Sequence, residues 1–308
     1  MFASNLPKYI SPLSEPATYL WPDCSMDFRR PIPRIAVPLI AFICIALRAN
    51  AADLSAPDPT LDRGYHLLYN LEFTHADQIF SSWEQEHPGD PMGPVSQAAG
   101  LLFSELNRLG VLEGQFYEDD HAFQARKKLS PDPAVREKFN QVLNQAEARA
   151  RTRLKEFADD EDSLFAMTLS SGLRADYAAL IEKSNLSALH YTKESSRWAG
   201  QLLAVDPNCY DAHLASGISQ YIVGSMAAPV RWLLKLGGVS GDKKAGMAEL
   251  QLAADRGHYL APFARILLAI AYVREKDMAR ARQLLSSLAG EFPNNALFAR
   301  EIARLDRH

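Results

Sequence analysis

Apolar residues recur at three- and four-residue spacing along most of the chain. The stretch FARILLAIAYVREKDMARARQLLSSLAGEF, residues 263–292, is representative. That spacing places Leu, Ile and Ala on one face of an α-helix, whereas the strict alternation of Val, Ile and Thr that marks a strand is scarce. Pro-, Gly- and Asn-rich breaks divide the pattern: HPGDPMGP at 87–94, SPDP at 130–133, DPN at 206–208, GGVSGD at 237–242 and FPNN at 292–295. Such clusters stop one helix and start the next. Pro133 followed by AVREKFNQVLNQAEARARTRLKEFA predicts a long helix with Pro in its first turn, where no amide proton is needed. The expected fold class is all-α, with about a dozen helices and no convincing strand.

Three stretches share one register. Residues 64–88 place Gly64, Ala76, Phe80 and Pro88 at set offsets. Residues 268–293 place Leu268, Ala269, Tyr272, Ala281, Leu285, Leu288 and Pro293 likewise, and around DPN the residues Leu202, Leu203, Asp206 and Pro207 close a unit that Gly217 reopens. Chance in Leu/Ala-rich helices accounts for one such match, not readily for three in register. The pattern resembles the tetratricopeptide-repeat family, whose units pair two antiparallel helices through small and apolar residues and end on Pro. The resemblance implies an α-solenoid of antiparallel helix-pair repeats. Residues 90–160 and 225–245 depart from it, which implies inserted helices or degenerate repeats.

The segment PVRWLLKLGGVSGDKKAGM is more particular. Pro229, Gly238, Gly241, Asp242, Gly246 and Met247 resemble the branch of that family that includes proteins of lipid-droplet and inclusion clearance and related exported bacterial proteins. That likeness implies a scaffold with no known catalytic activity. The glycines do not make a phosphate loop. Asp242 stands where the second Gly of a P-loop would be, Ala245 follows Lys244 in place of Ser or Thr, and no strand precedes. Gly237 and Gly238 read instead as a helix stop, and Asp242 as the N-cap of the next helix, a feature that contributes roughly 0.5–2 kcal/mol.

The first 51 residues differ in kind. Arg29, Arg30 and Arg34 precede an apolar run from Ile35 to Leu47, and Ala49-Asn50-Ala51 closes it. This is the layout of a secretory signal peptide over 26–51, preceded by a Pro-rich extension, 1–25, attributed to an early start codon. The expectation is one helical domain over 52–308, exported to the periplasm or beyond. Only Cys209 would remain in the mature chain, so its core rather than a disulfide must hold it together.

The 308 residues are 47% hydrophobic and 23% charged, ample for a core, and the net charge of −4 argues against nucleic acid as a partner. No catalytic residues, cofactor or metal site are expected. The sequence contains no H-E-x-x-H or G-x-S-x-G, and His190 with Glu194 is too small a ligand set. The acidic clusters at 118–120 and 159–162 suit helix N-termini. Family register places Tyr65, Tyr69, Leu214, Ile218, Tyr221, Ile266 and Ile270 on a concave face, and Trp232 on an amphipathic helix that either fills it or meets something the protein binds. These eight are the candidate groove or ligand-binding residues. Apolar residues at 214, 218, 266 and 270 replace the Lys/Asn clamp by which some family members hold a C-terminal carboxylate. The function expected is a non-catalytic scaffold for a protein or peptide partner. The alternative is a carrier of a lipid-like apolar ligand in the groove, or a protein that touches a membrane surface.

Overall fold

The structure is a computed structural model that describes residues 59–112, 129–236 and 240–307. The leader and extension, the cluster at 118–120 and the helix stop at Gly237–Gly238 lie outside the described residues.

Among the described residues the chain is all-α, without a strand. Twelve α-helices follow one another: α1 (Pro59–Tyr69), α2 (Phe73–Glu86), α3 (Met92–Arg108), α4 (Pro133–Glu156), α5 (Glu161–Asp176), α6 (Asn185–Val205), α7 (His213–Ser225), α8 (Ala228–Leu236), α9 (Lys243–Arg256), α10 (Ala261–Arg274), α11 (Met278–Glu291) and α12 (Ala296–Leu305). A π-helical turn, Tyr177–Glu182, extends α5, and a 3-10 turn, Tyr210–Ala212, leads into α7.

The polar breaks act as helix starts. Asp132 accepts from Ala134 N (2.8 Å), Asp160 from Ser163 N (2.8 Å), Asp242 from Ala245 N (2.8 Å) and Asn295 from Leu297 N (3.1 Å). Each satisfies an amide that the helix cannot bond internally. Two hairpin turns carry no glycine. Leu71 and Lys276 adopt φ of +62° and +63°, and each turn closes with the same pair of reversed bonds: Glu72 N to Leu67 O and Leu71 N to Leu68 O, then Asp277 N to Tyr272 O and Lys276 N to Val273 O. This is the Schellman arrangement, built with residues that carry a Cβ.

Helices pack on their chain neighbours: α1 on α2, α2 on α3, α3 on α4, α4 on α5, α5 on α6, α6 on α7, α9 on α10, α10 on α11, α11 on α12. Alternate helices α1, α3 and α5 also touch. The small and aromatic residues read from the sequence are the contact points. Ala76, Phe80, Ala281 and Leu288 are fully buried, and a Cβ on Gly64 would lie 2.2 Å from the Phe80 ring.

The pairing of α7 skips a helix and falls on α9. Glycines let the two helices approach closely. A Cβ on Gly246 would sit 2.4 Å from Tyr221 N and 2.8 Å from Gly217 O, one on Gly224 2.3 Å from Lys243 N, and one on Gly241 2.7 Å from Gly224 N. Backbone therefore lies on backbone, which only residues without a Cβ permit. Gly241, Asp242 and Gly246 of the 229–247 motif belong to this helix joint.

The two ends of the described helices are tied together. Asn295 Nδ2 donates to Tyr69 O (2.8 Å), Asn294 N to Asn70 Oδ1 (3.0 Å) and Tyr69 Oη to Tyr259 O (3.0 Å). The His66 and Tyr69 rings lie 5.0 and 5.7 Å from Phe292, and Asp62 pairs with His258.

Candidate functional site

Helices α1, α3, α5 and α7, with part of α6 and the start of α10, surround a cavity of about 80 Å³. Its walls are mostly apolar: Leu68, Phe103, Leu169, Leu173, Leu214, Ile218 and Phe263. Periodicity explains α1 and α5. Leu61, Tyr65 and Leu68 fall at i, i+4 and i+7 on the buried face of α1, and Leu169, Gly172, Leu173 and Asp176 share one face of α5. Thr192, Ala215, Ile218 and Phe263 are only half buried, so the cavity is not sealed from solvent.

The closure described above forms one end. Asp211 is buried and its carboxylate accepts from the amides of His258 (2.7 Å), Tyr259 (2.9 Å) and Leu260 (3.2 Å). It fixes the loop that leads into α10, which a side chain from another unit caps. Burial outweighs these three bonds and raises its carboxyl above the ordinary range. The Tyr259 ring lies 4.9 Å from Tyr65 and 6.1 Å from Phe165.

Most polar side chains in the cavity are committed. Tyr65 Oη shares a hydrogen bond with Ser96 Oγ (3.1 Å), Ser195 Oγ donates to Thr168 O (2.9 Å), Thr168 Oγ1 to Leu164 O (2.9 Å) and Thr192 Oγ1 to Ala188 O (2.8 Å). Burial holds both Tyr65 and Tyr69 phenols well above their usual range, so both remain neutral. The exception is Asp176. Its carboxylate has no hydrogen-bond or ion-pair partner among the described residues; it is half buried among mostly apolar side chains, whose desolvation pushes its pKa up to about 7.

The eight candidate residues separate into two groups. Tyr65, Tyr69, Leu214 and Ile218 line this cavity. Tyr221, Ile266 and Ile270 do not, although all three are half buried; Tyr221 is taken up by the α7–α9 joint, where its backbone faces Gly246. Trp232 lies in neither place: it is 65% exposed. Of the two readings open for α8, the exposed Trp232 speaks against the one in which its indole fills the concave face. Val230 and Leu236, the latter 67% exposed, also face outward, and the described contact that anchors α8 is Arg231 Nη1 donating to Gly224 O (3.0 Å).

Sequence reasoning missed Asp176, Asp211, Phe103 and Tyr259. Asp176 left one usable signal, a carboxylate at i+7 on a helix face otherwise made of Leu and Gly. Asp211 and Tyr259 are functional only through contacts distant in sequence and left none. Cys209 is half buried, and burial, followed by the nearby Asp211 charge, pushes its thiol up to about 12, so little of it is thiolate at neutral pH. Among the described residues no group of three or more His, Cys, Asp or Glu side chains comes together as a metal site requires, and no helix is long and apolar enough to cross a membrane. No protein-family model and no curated protein matches the chain.

Proposed function

We propose that the protein is an exported, non-catalytic scaffold of tetratricopeptide type that docks a partner protein through α8. The export reading rests on the charged, apolar and Ala-x-Ala parts of residues 26–51. The repeat reading is supported by neighbour packing of the helices and by the identical turns at Leu71 and Lys276. In it, the first helices of successive pairs face the cavity, as the family's register implies.

The observation that carries the docking site is the outward Trp232 and Leu236 on α8. Large side chains of this kind cost free energy in water and supply most of the binding energy when an interface covers them. The cavity itself is too small for a peptide helix. It has about 80 Å³, about half the roughly 150 Å³ of a cavity that binds a single benzene. That also weighs against an acyl chain as cargo. A second reading draws on Arg231 and Lys235, which flank Trp232 on a helix with one apolar face; such a helix also suits an anionic membrane surface.

A photo-crosslinking residue in place of Trp232, used in cells that export the protein, separates the two. Under the docking proposal it yields one discrete protein adduct that Leu236→Asp abolishes. Adducts to lipid alone, together with binding of the purified chain to phosphatidylglycerol vesicles, support the membrane reading; no adduct of either kind refutes both.

A further inference from the structure

We propose that the cavity bounded by α1, α3, α5 and α7 is a binding site for a small organic cation, a primary ammonium on a short aliphatic stem, with Asp176 as its counter-ion. This goes beyond the scaffold reading and does not depend on it.

The argument is one of complementarity. The hydroxyls of Tyr69, Thr168, Thr192 and Ser195 already donate to backbone carbonyls, and that of Tyr65 is shared with Ser96. None is left to donate to Asp176. The cavity's other carboxylate, Asp211, is occupied by three amides. Asp176 is thus a half-buried carboxylate at the wall of an apolar cavity, with no donor among the described residues, and a guest that supplies one gains a charge-assisted hydrogen bond there. A neutral alcohol would offer one hydrogen bond; an ammonium offers three and cancels the charge. The walls favour the same guest. The rings of Tyr65, Tyr69, Phe103 and Phe263 line the cavity, and aromatic faces attract cations, more so where water is thinned out. Size selects a short stem: about 80 Å³ accommodates a few heavy atoms, while the half-buried rim at Thr192 and Ile218 leaves room for a longer molecule to trail outward. The two phenols are held neutral by burial, so the guest would meet one free negative charge.

Isothermal titration of the purified full chain with propylammonium chloride at pH 8 tests this, with 1-propanol as the uncharged probe of equal length. Expected is saturable binding of propylammonium, at least tenfold weaker binding of propanol, and at least a tenfold loss in Asp176→Asn. Gly172→Leu is the second variant. A Cβ at 172 meets only Ser195 Oγ, at 3.6 Å, so a larger side chain there enters the cavity, and binding should disappear while the circular dichroism spectrum is retained. The proposal is overturned if propanol binds as well as propylammonium, if a folded Asp176→Asn binds as the parent does, or if neither probe binds. Should Asp176→Asn fail to fold, the propanol comparison and Gly172→Leu decide the outcome.

Discussion

Asp176 shows how one side chain can be read two ways. On its helix it is the polar end of an apolar stripe that also holds Leu169 and Leu173. In the fold it is a half-buried carboxylate without a partner among the described residues, raised from an ordinary 3.8 to about 7. Between those values the folded chain holds a proton that the unfolded chain has released. Stability therefore falls as pH rises through that window, and the loss is complete above about 7. Asp176→Asn removes the charge and keeps the shape. It should be more stable than the parent by about 1–3 kcal/mol at pH 8, and the difference should shrink toward pH 4, as urea unfolding at the two pH values would measure. A variant less stable at pH 8 would mean that the carboxylate has a stabilising partner.

At the scale of the element, the joint between α7 and α9 is tightly constrained. The spacing of Gly217, Gly224, Gly241 and Gly246 puts backbone on backbone, so a single added methyl has nowhere to go. Gly246→Ala should cost at least about 1–3 kcal/mol by overpacking, well beyond the gain of replacing a helical glycine, and thermal unfolding would show it as a lowered midpoint. A neutral result would show that the helices can slide apart. Part of this element was legible in advance: Asp242 as an N-cap follows from its place after a break. The reason for the glycines was not legible, because a close approach between helices is a property of two segments. The turns at Leu71 and Lys276 had no Gly or Pro to mark them, since packing of the flanking helices imposes the left-handed residue.

At the scale of the whole described unit, the decisive feature is the tie between α1 and the segments around residues 259 and 294. Asn295 both caps α12 through Leu297 N and donates to Tyr69 O, so one amide serves a local and a distant need. Asn295→Ala should cost about 1–3 kcal/mol, since it leaves a buried carbonyl unpaired and a helix uncapped. Calorimetry should then show α1 and α2 loosening before the rest, whereas the parent unfolds in one transition. Equal cooperativity in the variant would argue that the tie adds little.

Period, punctuation and composition are local properties of a chain, and from them alone came the all-α class and the helix starts that follow the polar breaks, as at Asp242. Tertiary structure decided what depends on distance between segments. It drew the ends together over Tyr69, Asp211 and Tyr259, enclosed a small cavity beside Asp176, and left Trp232 exposed. The physical reason is the same in each case: an amphipathic pattern states that a face must be covered, and only the three-dimensional packing determines which surface covers it.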